Sequence, residues 1–226
     1  MIKDEQPLAL LERALDQTAR VIDGIRPDQR ELPTPCADWD VQAVVQHVVG
    51  QDLRNFTAVA AGEMPDWRAP ADELPDDWAA AFDSGARLVL ATWRTADLAS
   101  LVVGPGGEVP LGTRTNQQIA ELAVHGWDVV RSTSQQINLD PEIADHALAW
   151  SRRTMRPESR GPGKAFGPEV PVPDDAPSYD RLAGWFGRDP AWTHHPLRPS
   201  SVRDEAAISR RGDLPDDQAH RRRSGP

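Results

Sequence analysis

The sequence predicts an all-α protein, and three observations carry that reading. Apolar residues recur with the helical period in four successive segments, at 8–25, 41–62, 77–98 and 115–132. Residues that favour helix starts stand ahead of such stretches, namely Asp40, Thr115 and Asp140. The segments are separated by connections rich in Pro and Gly, with 21 prolines among 226 residues.

The elements follow in order. In LALLERALDQTARVIDGI, Leu8, Leu11, Leu15, Ala19, Ile22 and Ile25 form one stripe, and Gly24 and Pro27 stop the helix. ELPTPCADW holds two prolines and reads as a structured loop. Asp40 then caps the second helix, VQAVVQHVVGQDLRNFTAVAAG, with Val41, Val44, Val45, Val48 and Val49 on its buried face. A Pro-rich loop spans 62–76. The third helix runs from Asp77 to Leu98 with Trp78, Phe82, Gly85, Leu88, Val89 and Trp93 inward. Residues 99–112 read as a loop or short hairpin. Thr115 opens the fourth helix, with Gln118 at capping-box spacing. Asp140-Pro141 starts a fifth helix reaching about Met155.

Residues 156–177 are too dense in Pro and Gly for regular structure. They carry Arg156, Arg160 and Lys164, which either wrap the surface or fold over the bundle mouth as a clamp for an acidic substrate. Ser178 to Gly187 forms a short last helix that docks Trp185 and Phe186. From about His194 charge is high and large apolar residues are scarce. The expected organisation is a helical domain over 1–193 and a disordered charged tail over 194–226.

Composition narrows the partners. A net charge of −10 argues against nucleic acid and against an anionic membrane surface. The single cysteine, Cys36, allows no internal disulfide and fits a reducing compartment. The N-terminal stretch has no apolar core of a secretory signal, and no apolar run approaches the roughly 20 residues of a membrane span. The expected location is cytoplasmic.

The chemistry gathers in TNQQIAELAVHGWDVVRS. Glu121 and His125 stand four apart and therefore on one helix face. A carboxylate and an imidazole at that spacing can share a metal ion, or form a surface ion pair. The best third ligand is His47, beside the apolar face of the second helix. Together they make a two-His, one-carboxylate set with a coordination position left open. Asp52 lies within the apolar stripe by angle and needs a partner; it either orients a ligand or sits at the bundle mouth. Asp128 either accepts the free ring N–H of a ligand histidine or is a solvated carboxylate. His146 reads as structural or exposed, and Cys36 has no required chemical role.

Three stretches, TPCADWDVQAVVQHVVG, ELAVHGWDVVRSTSQQI and FGPEVPVPDDAPSYDRLAGWFGRDPAW, resemble the metal-binding domain of mycothiol-dependent maleylpyruvate isomerase and its relatives in the DinB-like superfamily. The resemblance spans roughly residues 8–192. It implies an antiparallel four-helix bundle with an additional helix, long loops, and a divalent metal, zinc or nickel, at one end. The family's second-helix histidine matches His47, and its E-x-x-x-H pair matches Glu121 and His125. The isomerase has a further C-terminal domain where this chain has a short helix and the tail, so its particular substrate does not carry over.

Three functions are compatible with these residues. The first is a metal-dependent transferase or isomerase using a low-molecular-weight thiol, mycothiol, on a small electrophilic metabolite. The second is a thiol-independent hydrolase or lyase with Arg156, Arg160 and Lys164 as anion clamp. The third is a non-enzymatic, metal-stabilised homodimeric binding or stress-response module.

Overall fold

The computed structural model describes residues 7–37, 39–104, 107–155, 160–161 and 166–193. The expected tail, 194–226, and the loop cations Arg156 and Lys164 lie outside the described residues.

Seven α-helices dominate the described chain: α1 Pro7–Asp23, α2 Val41–His47, α3 Leu53–Ala60, α4 Trp78–Thr95, α5 Thr113–Thr133, α6 Pro141–Thr154 and α7 Ser178–Trp185. α2 and α3 are one helical segment, joined by a turn of π-helix, Val48–Asp52. One hairpin interrupts the helices: β1, Leu101–Gly104, pairs antiparallel with β2, Gly107–Pro110. α1 packs on α4 and α5, α3 packs on α4, and α2 and the π-turn pack on α5. α6 lies on α5, and α7 on α6. None of the described helices is long and apolar enough to cross a membrane.

The core forms where the helical stripes meet. Leu11, Phe56, Phe82, Trp93, Ile119 and Leu122 are fully buried. Each such side chain contributes about 1.5–3 kcal/mol relative to exposure. α3 and α4 approach so closely that a Cβ on Gly85 would lie 2.7 Å from the Leu53 side chain. Buried polar groups are tied across elements: Trp93 Nε1 donates to Gln118 Oε1 at 2.8 Å, and Gln17 joins the Tyr179 hydroxyl to the Asp140 backbone.

The helix starts follow the capping residues. Asp40 accepts from Ala43 N at 2.8 Å, Asp77 from Ala80 N at 2.9 Å, and Asp140 from Glu142 N at 3.0 Å. The expected start at Thr115 is a correction. α5 begins at Thr113, and Thr115 is already inside it, its hydroxyl donating to Gly112 O at 2.7 Å. Gln118 is taken by Trp93, so no capping box forms. Leu88 is a second correction: it is 59 % exposed rather than inward.

Candidate metal centre

Two histidines on different helices are each prepared to offer the same ring nitrogen. His47 ends α2, and its Nδ1 lies 2.9 Å from Gln51 Oε1. The Gln51 amide nitrogen is already committed, donating to Trp67 O at 3.2 Å and Ala69 O at 3.0 Å. Its oxygen must therefore face the ring, so His47 Nδ1 carries the donated proton. Nε2 is left facing Asp52 and Glu121.

His125, on α5, is set by the same logic. Its Nδ1 lies 3.1 Å from Asp128 Oδ2, and an ionised carboxylate only accepts. Asp128 is fully buried and is gripped by Arg188, Nε to Oδ1 at 3.2 Å and Nη2 to Oδ2 at 3.0 Å. This orientation leaves His125 Nε2 towards Glu121 Oε2, 3.6 Å away.

Glu121 stands between them. Its Oε2 is 4.0 Å from His47 Nε2, and the donor atoms of His47, Glu121 and His125 all lie within 4.8 Å of one another. Two imidazole nitrogens with a carboxylate are the donor set of open divalent-metal sites. The three residues that the spacing singles out thus meet in space.

The electrostatics favour a cation here. Burial alone would lower His47, but the pull of Glu121 and Asp52 outweighs it and raises its pKa to about 9. Burial would raise Glu121, but His47, His125 and Arg188 hold it below the usual carboxylate range. Burial pushes Asp52 well above that range. His125 is lowered, first by burial and then by the positive charges of His47 and Arg188 against the opposing pull of Asp128. A proton on His47 is what balances the carboxylates, and a metal ion could do the same.

Sequence reasoning missed three neighbours. Arg188, distant in sequence, anchors Asp128. Trp39 stacks on the His125 ring at 5.7 Å between centroids and lies tilted on His47 at 5.0 Å. The donor atoms of Cys36, His125 and Asp128 also lie within 4.8 Å of one another, so the loop cysteine adjoins the site. Only their place in the loop ELPTPCADW, just ahead of the helix that carries His47, hinted at Trp39 and Cys36. No local signal marked Arg188.

The remaining candidates fall elsewhere. Asp128 is a correction to the solvated alternative, being fully buried. Arg160 does not join the cluster: its guanidinium lies 4.1 Å over the Trp185 ring and donates to Gly167 O at 3.4 Å. His146 Nε2 meets Asn116 Oδ1 at 2.7 Å, a structural link between α6 and α5. A cleft of about 380 Å³ lined by Arg30, Asp76, Asp77 and Trp78 includes none of the cluster.

Helical segments packed around one core, with imidazoles and a carboxylate brought together from separate helices, define an all-α protein with a candidate metal centre between its helices. The chain belongs to the mycothiol maleylpyruvate isomerase N-terminal domain family, whose sequence model matches residues 11–130. Two uncharacterized proteins of Mycobacterium tuberculosis, MT0763 and Rv0738, are each 33 % identical over 183 residues, covering 80 % of this chain and 97 % of each relative. Among solved structures, the mycothiol-dependent maleylpyruvate isomerase superposes with a TM-score of 0.52 at 17 % identity. A mutant of it gives 0.51 at 16 %. Each match covers 64 % of this chain and 67 % of the other, and shows a shared fold.

Proposed function

We propose that the protein is a divalent-metal-dependent enzyme that uses a low-molecular-weight thiol, mycothiol, to isomerise or conjugate a small electrophile. The observation that carries this is the turning of both Nε2 atoms, of His47 and His125, onto Glu121. Family membership supplies the thiol and the isomerase chemistry as the reading's second support.

His47, Glu121 and His125 would hold the ion, zinc or nickel by donor type. A cation so placed supplies the positive charge that turns a thiol into a thiolate at neutral pH. Asp128 keeps the proton of His125 on Nδ1, and Arg188 keeps Asp128 in place. Gln51 does the same for His47. His47 and Glu121 retain 18 % and 25 % side-chain exposure, whereas His125 has 7 %. Substrates therefore approach on the His47–Glu121 side, with Trp39 as an apolar wall across both imidazoles.

The test is elemental analysis of the wild type and His125→Ala, followed by titration of the cobalt-loaded protein with mycothiol. About one metal per chain, lost in the variant, and a thiol-induced change in the cobalt spectrum are expected. Metal that binds without any response to thiol would select the thiol-independent reading. No metal uptake at all would remove the proposal.

A further inference from the structure

Asp52 is the unexplained group beside this centre. It is 2 % exposed, yet neither of its carboxylate oxygens has a hydrogen-bond partner among the described residues. Oδ2 lies 3.3 Å from His47 Nε2. A buried carboxylate with no donor is costly unless something positive compensates it.

The backbone is bent to put it there. In an uninterrupted α-helix, residues five apart point about 140° away from each other. His47 and Asp52 would then face different sides of the helix. Residues 48–52 instead form a π-turn, whose i→i+5 pattern stacks residues five apart. That turn is held from outside. Asp72 N donates to Gly50 O at 3.1 Å, and Gln46 Nε2 donates to Asp72 O at 3.3 Å. Gly50 is required for this approach, because a Cβ there would lie 2.5 Å from Asp72 O. An irregular turn, a strap and a glycine together have one consequence at the site: Asp52 comes alongside His47 Nε2.

We propose that Asp52 is a fourth protein ligand on the cation held by His47, Glu121 and His125, which rests on the metal reading above. Donors about 2.1 Å from one ion stand roughly 3.0 to 4.2 Å apart, depending on whether they are adjacent or opposite. The separations of 3.6 Å for Glu121 to His125 and 4.0 Å for Glu121 to His47 fit that range, as does the 3.3 Å from Asp52 to His47; Asp52 stands outside the group whose donor atoms lie within 4.8 Å of one another and joins the ion by a turn of its side chain. A set of two imidazoles and two carboxylates suits five- or six-coordinate ions. The position open to an exchangeable ligand then survives beside four protein donors, and nickel, cobalt or manganese become better matches than tetrahedral zinc.

The experiment compares wild type, Asp52→Asn and Asp52→Glu, all as the full chain. Cobalt and nickel affinities are read by competition with a chelator, and coordination by the visible spectrum of the cobalt form. Melting of the metal-free proteins checks that each variant folds. The expected result is a weak cobalt band in the wild type, typical of five or six ligands. In Asp52→Asn, affinity falls about ten- to a hundred-fold and the band gains intensity as a ligand is lost. Asp52→Glu recovers part of the affinity with a shifted band. If Asp52→Asn fails to fold, the Asp52→Glu spectrum decides, since a residue outside the coordination sphere would leave it unchanged. Wild-type affinity and spectrum in the variants overturn this inference while leaving the three-ligand site standing. Failure of the wild type to bind any metal overturns both.

Discussion

Arg188 and Asp128 lie 60 positions apart and meet through two buried hydrogen bonds, so the last stretch of the domain reaches back to fix a side chain of α5. The guanidinium also donates to Phe186 O at 3.0 Å. Asp128 in turn orients His125. Replacing Arg188 by Met leaves a fully buried carboxylate uncompensated, which costs about 3–5 kcal/mol in urea unfolding. Arg188→Lys keeps the charge but not the fork, and recovers only part of the loss. In both variants metal affinity falls, because the orienting partner of His125 is no longer held.

The metal-free protein and the loaded protein respond oppositely to pH through His47. Its folded pKa of about 9 exceeds the unfolded value of 6.5. The stability it contributes is therefore fully present below pH 6.5 and is lost as pH rises through about 9. A ligand imidazole must give up that proton, so apparent metal affinity rises with pH and weakens below about 9. Chelator competition between pH 6 and pH 9 reads this slope, and His47→Ala flattens it. A slope indifferent to His47 would place the ion elsewhere.

Two glycines separate backbone constraint from free space. Gly50→Ala drives a methyl against the Asp72 carbonyl, 2.5 Å from the new Cβ, and costs about 1–3 kcal/mol while displacing His47. Gly126, in the middle of α5 beside His125, has nothing within 4 Å of where a Cβ would stand. Gly126→Ala removes backbone freedom from the unfolded chain and stabilises by about 0.5–1 kcal/mol. Thermal melts of the two variants should move in opposite directions.

Trp39 packs on both imidazoles and reports on them. Cobalt or nickel addition should quench tryptophan emission, and Trp39→Phe should remove most of that quench while the metal still binds. Undiminished quenching in Trp39→Phe, read by the same titration, would assign the response to another of the eight tryptophans.

Much of the fold was legible because its signals are local. The stripe Leu11, Leu15, Ile22 and the caps Asp40 and Asp140 depend on neighbours within one or two turns, and each forms the expected element. Gly and Pro punctuation left residues 99–112 open as a loop or a short hairpin, and the pairing of β1 with β2 is the second of these. Thr115 misled because a capping-box spacing also occurs inside helices, where buried Gln118 is recruited by Trp93 instead. Leu88 misled because helical angle does not reveal how wide a neighbouring helix's cover is.

For the site, the sequence alone determined which residue types could share an ion: Glu121 and His125 by helical spacing, and His47 by its place in the second helix. The tertiary structure decided their neighbours. Asp128 looked solvated until Arg188 was brought onto it by the docking of α7. Arg160 was open between a surface wrap and a clamp, and the structure lays its guanidinium over the Trp185 ring. Asp52 reached His47 only through a π-turn held by the 62–76 loop, since an ideal helix would have parted them. Spacing along one helix is written in the chain, because backbone hydrogen bonds fix it. Contacts between elements are settled only when burial forces each polar group to find a partner.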